Sequence, residues 1–162
     1  MPLSKDELVG LLKTNLYDVV HFACHGKYTD QDPDESEILL RDEKTLRPDD
    51  LSDSDIRLKF RESRPLIFMN SCHSGRIGST LLGIGGWASR FIDLECGAFI
   101  GCGWEVQSQS AYDFAVAFYS RLRDNGKLSE AMHDARERIR SDNNSTWLAY
   151  CLYGDPRCRL RN

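Results

Sequence analysis

The chain has 162 residues, 41% of them apolar and 10% aromatic, enough to build one domain around one sizeable core and to exclude a disordered chain. Its 21 Lys and Arg stand against 25 Asp and Glu, a net charge of −4 with no basic stripe, so direct nucleic-acid binding is not expected. No apolar run nears the roughly 20 residues of a membrane span, and the N-terminus lacks the basic and apolar regions of a signal peptide. A cytoplasmic chain without membrane contact is the simplest expectation. The cysteines, at 24, 72, 96, 102, 151 and 158, sit mostly in apolar runs, so reduced and largely buried thiols are expected.

Ser4 and Glu7 match the S-x-x-E capping box, and Leu8, Leu11 and Leu12 recur at helical spacing, which predicts a helix from about 5 to 15. Val19 to Cys24 reads as a strand covered on both faces, and Leu66 to Met69, Ala98 to Cys102 and Trp147 to Tyr153 read alike. Between the first two of these, the segment from Asp30 to Glu37 holds five acids and no base and is expected to be a solvated loop, followed by a hairpin over Ile38 to Leu46. Asp30, Asp32 and Asp34 imitate a calcium loop, but Glu35 and Arg41 stand where that motif needs Gly and Glu. Helical patterns cover Trp87 to Cys96, Ala111 to Leu122 and Leu128 to Ile139, so strands alternate with helices and an α/β fold with a parallel sheet follows. Ser141 to Thr146 is short enough for an ordinary loop.

Two of the apolar runs end alike, in "HFACHG" (His21 to Gly26) and "NSCHSG" (Asn70 to Gly75). Ligands of open parallel sheets bind beyond the carboxyl ends of the strands, which is where both motifs fall. A thiol and an imidazole brought together there form a Cys/His dyad, in which the imidazole deprotonates the thiol and later protonates the leaving amine. The glycines allow backbone N–H groups to approach a reacting carbonyl, which makes the amides of Gly26 and Cys72 candidates for an oxyanion hole. On spacing alone the same residues also suit a structural role. His21 reads as a packed histidine with a satisfied hydrogen bond, Cys24 as core, and His73 as ambiguous. A zinc site from His21, Cys24, His25, Cys72 and His73 lacks any C-x-x-C pair and would be split between sheet faces. Gly83, Gly85 and Ala88 fit G-x-G-x-x-A, but they do not follow a strand directly, so they are expected to shape the start of the next helix instead of holding a dinucleotide.

"YDVVHFACHG", "PLIFMNSCHSG", "CGAFIGCGWEV", "AFYSRLRDNGKLSEAMHDAR" and "WLAYCLYGDP", in that order from Tyr17 to Pro156, resemble the blocks of the CHAT peptidases, relatives of caspases and separases. The resemblance implies a caspase-like three-layer α/β sandwich with a mostly parallel sheet flanked by helices. It implies His25 as base, Cys72 as nucleophile 47 positions later, and the amides of Gly26 and Cys72 as oxyanion donors. No cofactor is needed for that chemistry. After the strand ending near Cys102 the family often has an acid a few residues beyond a tryptophan; here Trp104 and Glu105 fill a W-x-V block, and Ser108 stands where many relatives have Asp. Glu105, with Trp104, is therefore a candidate for binding a basic P1 side chain, with a solvated charge as the alternative. Family members usually carry more sheet upstream of the His block, so residues 1–162 are expected to be the catalytic half or a fragment of a longer chain, regulated by a domain or partner outside it.

The expected function is a cysteine endopeptidase acting on a protein substrate through an acyl-enzyme. The alternatives are a catalytically silent CHAT-like scaffold of a signalling protein and a redox or metal role for the Cys24, His25, Cys72 group.

Overall fold

The computed structural model describes residues 3–27, 35–71, 79–80, 83–84, 86–140 and 145–160. Helix α1 (Lys5–Thr14) starts in the expected reciprocal box: Ser4 Oγ accepts from the Glu7 N–H at 3.3 Å, and Glu7 Oε2 accepts from the Ser4 N–H at 2.8 Å. It buries Leu8 and Leu12 and leads into strand β1 (Val19–Ala23). Strands β2 (Gly26–Lys27), β3 (Glu37–Leu39) and β4 (Thr45–Leu46) form a small antiparallel sheet. The hairpin expected over Ile38 to Leu46 is β3 with β4, Ile38 facing Leu46 and Leu39 facing Thr45. Arg47 contacts Glu35 and Glu37 at 2.6 Å each, so the tail of the acidic segment is tied back to this sheet by ion pairs; Asp30, Asp32 and Asp34 lie outside the described residues.

Helix α2 (Ser54–Ser63) has no counterpart in the sequence-based expectation. Asp53 caps it by accepting from the Asp55 N–H at 2.8 Å, and only Ile56 and Phe60 are buried along it. Strand β5 (Leu66–Asn70) is followed by a two-stranded hairpin, β6 (Ser79–Thr80) with β7 (Gly83–Ile84), and by helix α3 (Trp87–Asp93). Strand β8 (Ala98–Cys102), helices α4 (Ser108–Arg123) and α5 (Leu128–Ile139), and strand β9 (Tyr150–Gly154) complete the order. The last strand starts three residues later than the apolar run from Trp147 suggested, because Ser145–Leu148 forms a 3-10 turn.

The main sheet has the order β1-β5-β8-β9. β1, β5 and β8 are parallel, with Val19 beside Leu66 and Leu66 beside Ala98, whereas β9 runs antiparallel to β8, Ala98 facing Gly154. The parallel pairing stops at this strand for a topological reason, and the sheet is mostly parallel, as expected. One helix between strands returns the chain to its starting edge; α4 and α5 together return it twice, so β9 enters from the carboxyl edge.

Strand alternation then sorts side chains into two cores. Phe22, Ile67, Met69 and Phe99 face α1, α2 and α3, where they meet Leu12, Ile56, Phe60 and Phe91. Leu66, Phe68, Ala98, Ile100 and Cys102 face α4 and α5, where they meet Phe114, Phe118, Leu122 and Met132. The result is a mostly parallel sheet between two helical layers, the caspase-like arrangement expected from the sequence. Burial is uneven among the thiols: Cys96 and Cys102 are buried, Cys24 and Cys151 half-buried, and Cys158 exposed.

Candidate active site

Three neighbouring parallel strands stop at one edge of the sheet, β1 at Ala23, β5 at Asn70 and β8 at Cys102. Ala23 is the register partner of Asn70. His25 stands two residues past the first strand, and Trp104 two residues past the third. Cys72 and His73 lie outside the described residues; in the chain Cys72 follows Ser71, the last described residue of the β5 end.

His25 is exposed, and its carbonyl accepts from the Leu39 N–H at 2.8 Å. That bond places His25 and Leu39 at a hydrogen-bonded position of the β2–β3 ladder. Gly26, the next residue and the register partner of Ile38, therefore turns its N–H away from β3, since antiparallel ladders alternate between bonded and non-bonded pairs. The small antiparallel sheet thus fixes the backbone on which the imidazole is mounted.

Asn70 closes the end of β5 in a way the sequence reading missed. Its Oδ1 accepts from the Tyr150 hydroxyl at 3.1 Å and lies 4.0 Å from the Cys102 sulfur, and its amide donates to the Ala111 carbonyl at 3.4 Å. One side chain so links β5 to β8, β9 and the first turn of α4. Tyr150 is fully buried and stacks on Phe114 with ring centroids 3.7 Å apart. Its carbonyl accepts from Arg136 of α5 at 2.6 Å. Ser71, next to Asn70, is buried, and its Oγ has no hydrogen-bond partner among the described residues. The signal available in the sequence was a polar residue closing an otherwise wholly apolar strand.

Beyond β8, the Gly103 N–H donates to the Ala149 carbonyl at 2.7 Å, which holds the strand end against the turn before β9. Trp104 and Glu105 follow on the exposed connection to α4. They occupy the same sheet edge as His25, on the far side of β5. Ser108 is the first residue of α4.

The remaining sequence candidates separate from this edge. His21 sits on the α4 face, its Nδ1 3.2 Å from the Tyr119 hydroxyl and its ring edge-on to Phe68 at 4.7 Å. Partial desolvation by these rings lowers its pKa below the ordinary histidine value, although the residue keeps an exposed side. Cys24 packs instead against the core formed with α1, α2 and α3. The sheet thus divides His21 and Cys24 between faces, which disfavours the zinc grouping. Gly83 lies in the separate β6–β7 hairpin, not at the end of a strand of the parallel sheet as a dinucleotide site needs, and Gly86, at φ 83, is the residue before α3; Gly85 lies outside the described residues.

A mostly parallel sheet enclosed by helices, with His25 and the β5 end at one carboxyl edge, defines a fold of the caspase-like class. The chain belongs to the CHAT family: the CHAT domain matches residues 2–155. Among solved structures it is similar to one described as a protease, with a TM-score of 0.63 and 12% identity over 93% of this chain. It is also similar to the Arg-specific cysteine proteinase gingipain R, with a TM-score of 0.60 and 13% identity over 98% of this chain. At such identities the likeness is one of fold. The chain spans about 37% of the length of each of these two proteases. No curated protein matches its sequence.

Proposed function

We propose that this chain is the catalytic part of a CHAT cysteine endopeptidase in which Cys72 is the nucleophile and His25 the base. The observation that carries the reading is the register of β1 with β5. Ala23 pairs with Asn70 on strands about 4.8 Å apart, and in the sequence His25 and Cys72 each come two residues after that pair. The thiolate attacks a peptide carbonyl, and the oxyanion takes hydrogen bonds from the amides of Gly26 and Cys72. Protonated His25 gives its proton to the leaving amine, and a water activated by the same ring then hydrolyses the acyl-enzyme. The outward turn of the Gly26 N–H supports its share in this scheme.

Glu105 is proposed to receive a basic P1 side chain, with Trp104 beside it as part of the wall. It shares the sheet edge with His25, and one similar protease, gingipain R, is Arg-specific. Peptide-library cleavage by the wild type and by Glu105→Gln tests this; an unchanged P1 preference removes Glu105 from the pocket.

The chain is further proposed to be one part of a larger peptidase. Among the described residues β1 ends the sheet, with exposed Leu3, Leu11 and Leu39 around it and a cavity of about 620 Å3 alongside. An added strand from outside the chain would pair there and could carry regulation to His25, two residues away along β1's extension. The central test is labelling by a thiol-directed activity probe. Labelling should disappear in Cys72→Ala and fall at least tenfold in His25→Ala; a Cys72→Ala variant that labels like the wild type overturns the assignment.

A further inference from the structure

At the opposite end of the sheet lies a cavity of about 600 Å3, a volume typical of small-molecule sites. Its floor is apolar and rigid. Leu66 and Ala98 contribute the amino ends of β5 and β8, with Leu128 of α5 beside them, all three almost fully buried. The chain comes too close here for any other residue at two glycines: a Cβ on Gly97 would stand 2.3 Å from the Arg64 carbonyl oxygen, and one on Gly154, at φ +143, 2.9 Å from the Ala98 Cβ. The final described segment folds back as the outer wall, held by bonds from the Leu128 and Ser129 N–H groups to the Cys158 and Pro156 carbonyls at 2.8 and 2.9 Å.

The charged groups in the lining are unequal. Asp155 is committed to Arg157 through hydrogen bonds of 2.9 to 3.0 Å. Among the described residues Arg64 and Arg159 make no ion pair and, of the lining acids, Asp18 makes none either, so the lining carries an excess of one positive charge once Asp155 is paired with Arg157. Arg64 holds its place at a cost: it caps α2 in the left-handed conformation at φ 49, ψ 57, where glycine is preferred.

We propose that this cavity binds an amphipathic monoanion, a carboxylate on an apolar body, with Arg64 and Arg159 taking the carboxylate and the Leu66, Ala98 and Leu128 floor taking the body. Guanidinium groups suit carboxylates through paired N–H donors, and a ligand carboxylate would compete for the two arginines with Asp18 of the lining. The site is remote from the carboxyl edge of the sheet and does not depend on the peptidase reading.

The probe is octanoate, with octylamine as the same chain of opposite charge and acetate as the head alone. The readout is the alkylation rate of the exposed Cys158, which lines the cavity, followed by mass spectrometry of its own peptide. Millimolar octanoate should slow Cys158 alkylation at least fivefold, with octylamine and acetate inert. Arg64→Gly relieves the left-handed strain, so its melting temperature without ligand should equal or exceed the wild type while protection by octanoate is lost. Arg159→Ala should weaken protection about tenfold. Equal protection by octylamine, protection retained in both arginine variants, or no protection by octanoate would each overturn the proposal.

Discussion

Replacing Tyr150 by Phe removes one oxygen from the centre of the molecule and leaves everything else in place. The ring is fully buried, and Phe keeps its stack on Phe114. The loss falls on Asn70 Oδ1, which among the described residues keeps the Cys102 sulfur at 4.0 Å, a weak donor. Leaving the oxygen of half-buried Asn70 without its hydroxyl costs at most about 1–3 kcal/mol. For a domain of this size that lowers the melting temperature by roughly 2–4 °C per kcal/mol. Urea unfolding followed by circular dichroism measures it, with an unchanged m-value expected because the exposed surface does not change. Asn70→Ala should cost a similar amount, and the double variant less than the sum, by at least about 0.5 kcal/mol, because both substitutions break one bond. If Tyr150→Phe is as stable as the wild type, or the two effects add, the bond does not hold the end of β5. In an active preparation, Tyr150→Phe should also lower the rate of acylation at Cys72 more than it raises KM, since it loosens the strand on which the nucleophile is proposed to sit.

Gly97→Ala should destabilise the protein by about 1–3 kcal/mol, because the new methyl group meets the Arg64 backbone carbonyl, which cannot swing aside; a melting temperature within a degree of the wild type would refute this. Burial pushes the Cys96 thiol up to about 12, so at pH 8 iodoacetamide should modify exposed Cys158 long before Cys96, and equal rates would show that Cys96 is not enclosed. His21 has a folded pKa depressed by burial, so the unfolded chain takes up the proton first as pH falls through about 6.5. Its contribution to stability is therefore whole above that pH and lost below it. Urea midpoints from pH 7.5 to 5 should decline less in His21→Phe than in the wild type, and parallel declines would exclude the effect.

The elements visible in the sequence were those whose hydrophobic pattern is local. α1 announced itself by Ser4 and Glu7, and β1, β5 and β8 by short apolar runs between turn residues. α2 was hidden because only Ile56 and Phe60 mark its buried face, among Arg57, Lys59 and Arg61 on the exposed side. The direction of β9 was implicit in finding two helical patterns after β8, yet it follows from counting crossings, not from any property of "YCLYG". The place of His25 and Gly26 just past the end of β1 was legible because their motif follows an apolar run. Asn70 was in view as the first residue of "NSCHSG", but its role depends on Tyr150, and no periodicity connects residues 80 positions apart. The cavity between Arg64 and Arg159 was equally invisible, being assembled from a helix cap, two strand starts and a returning tail.

The Asn70 to Tyr150 bond also sets an order of events during synthesis. A ribosome that has completed β1, β5, β8 and α4 has made His25, Cys72, Trp104 and Glu105, the side chains proposed for the chemistry. The hydroxyl that secures Asn70 emerges only with the last strand of the sheet. A nascent chain cut short inside α5 would therefore carry the side chains proposed for the chemistry while Asn70 still lacks its hydroxyl partner, so the final strand is what completes the closure of that edge.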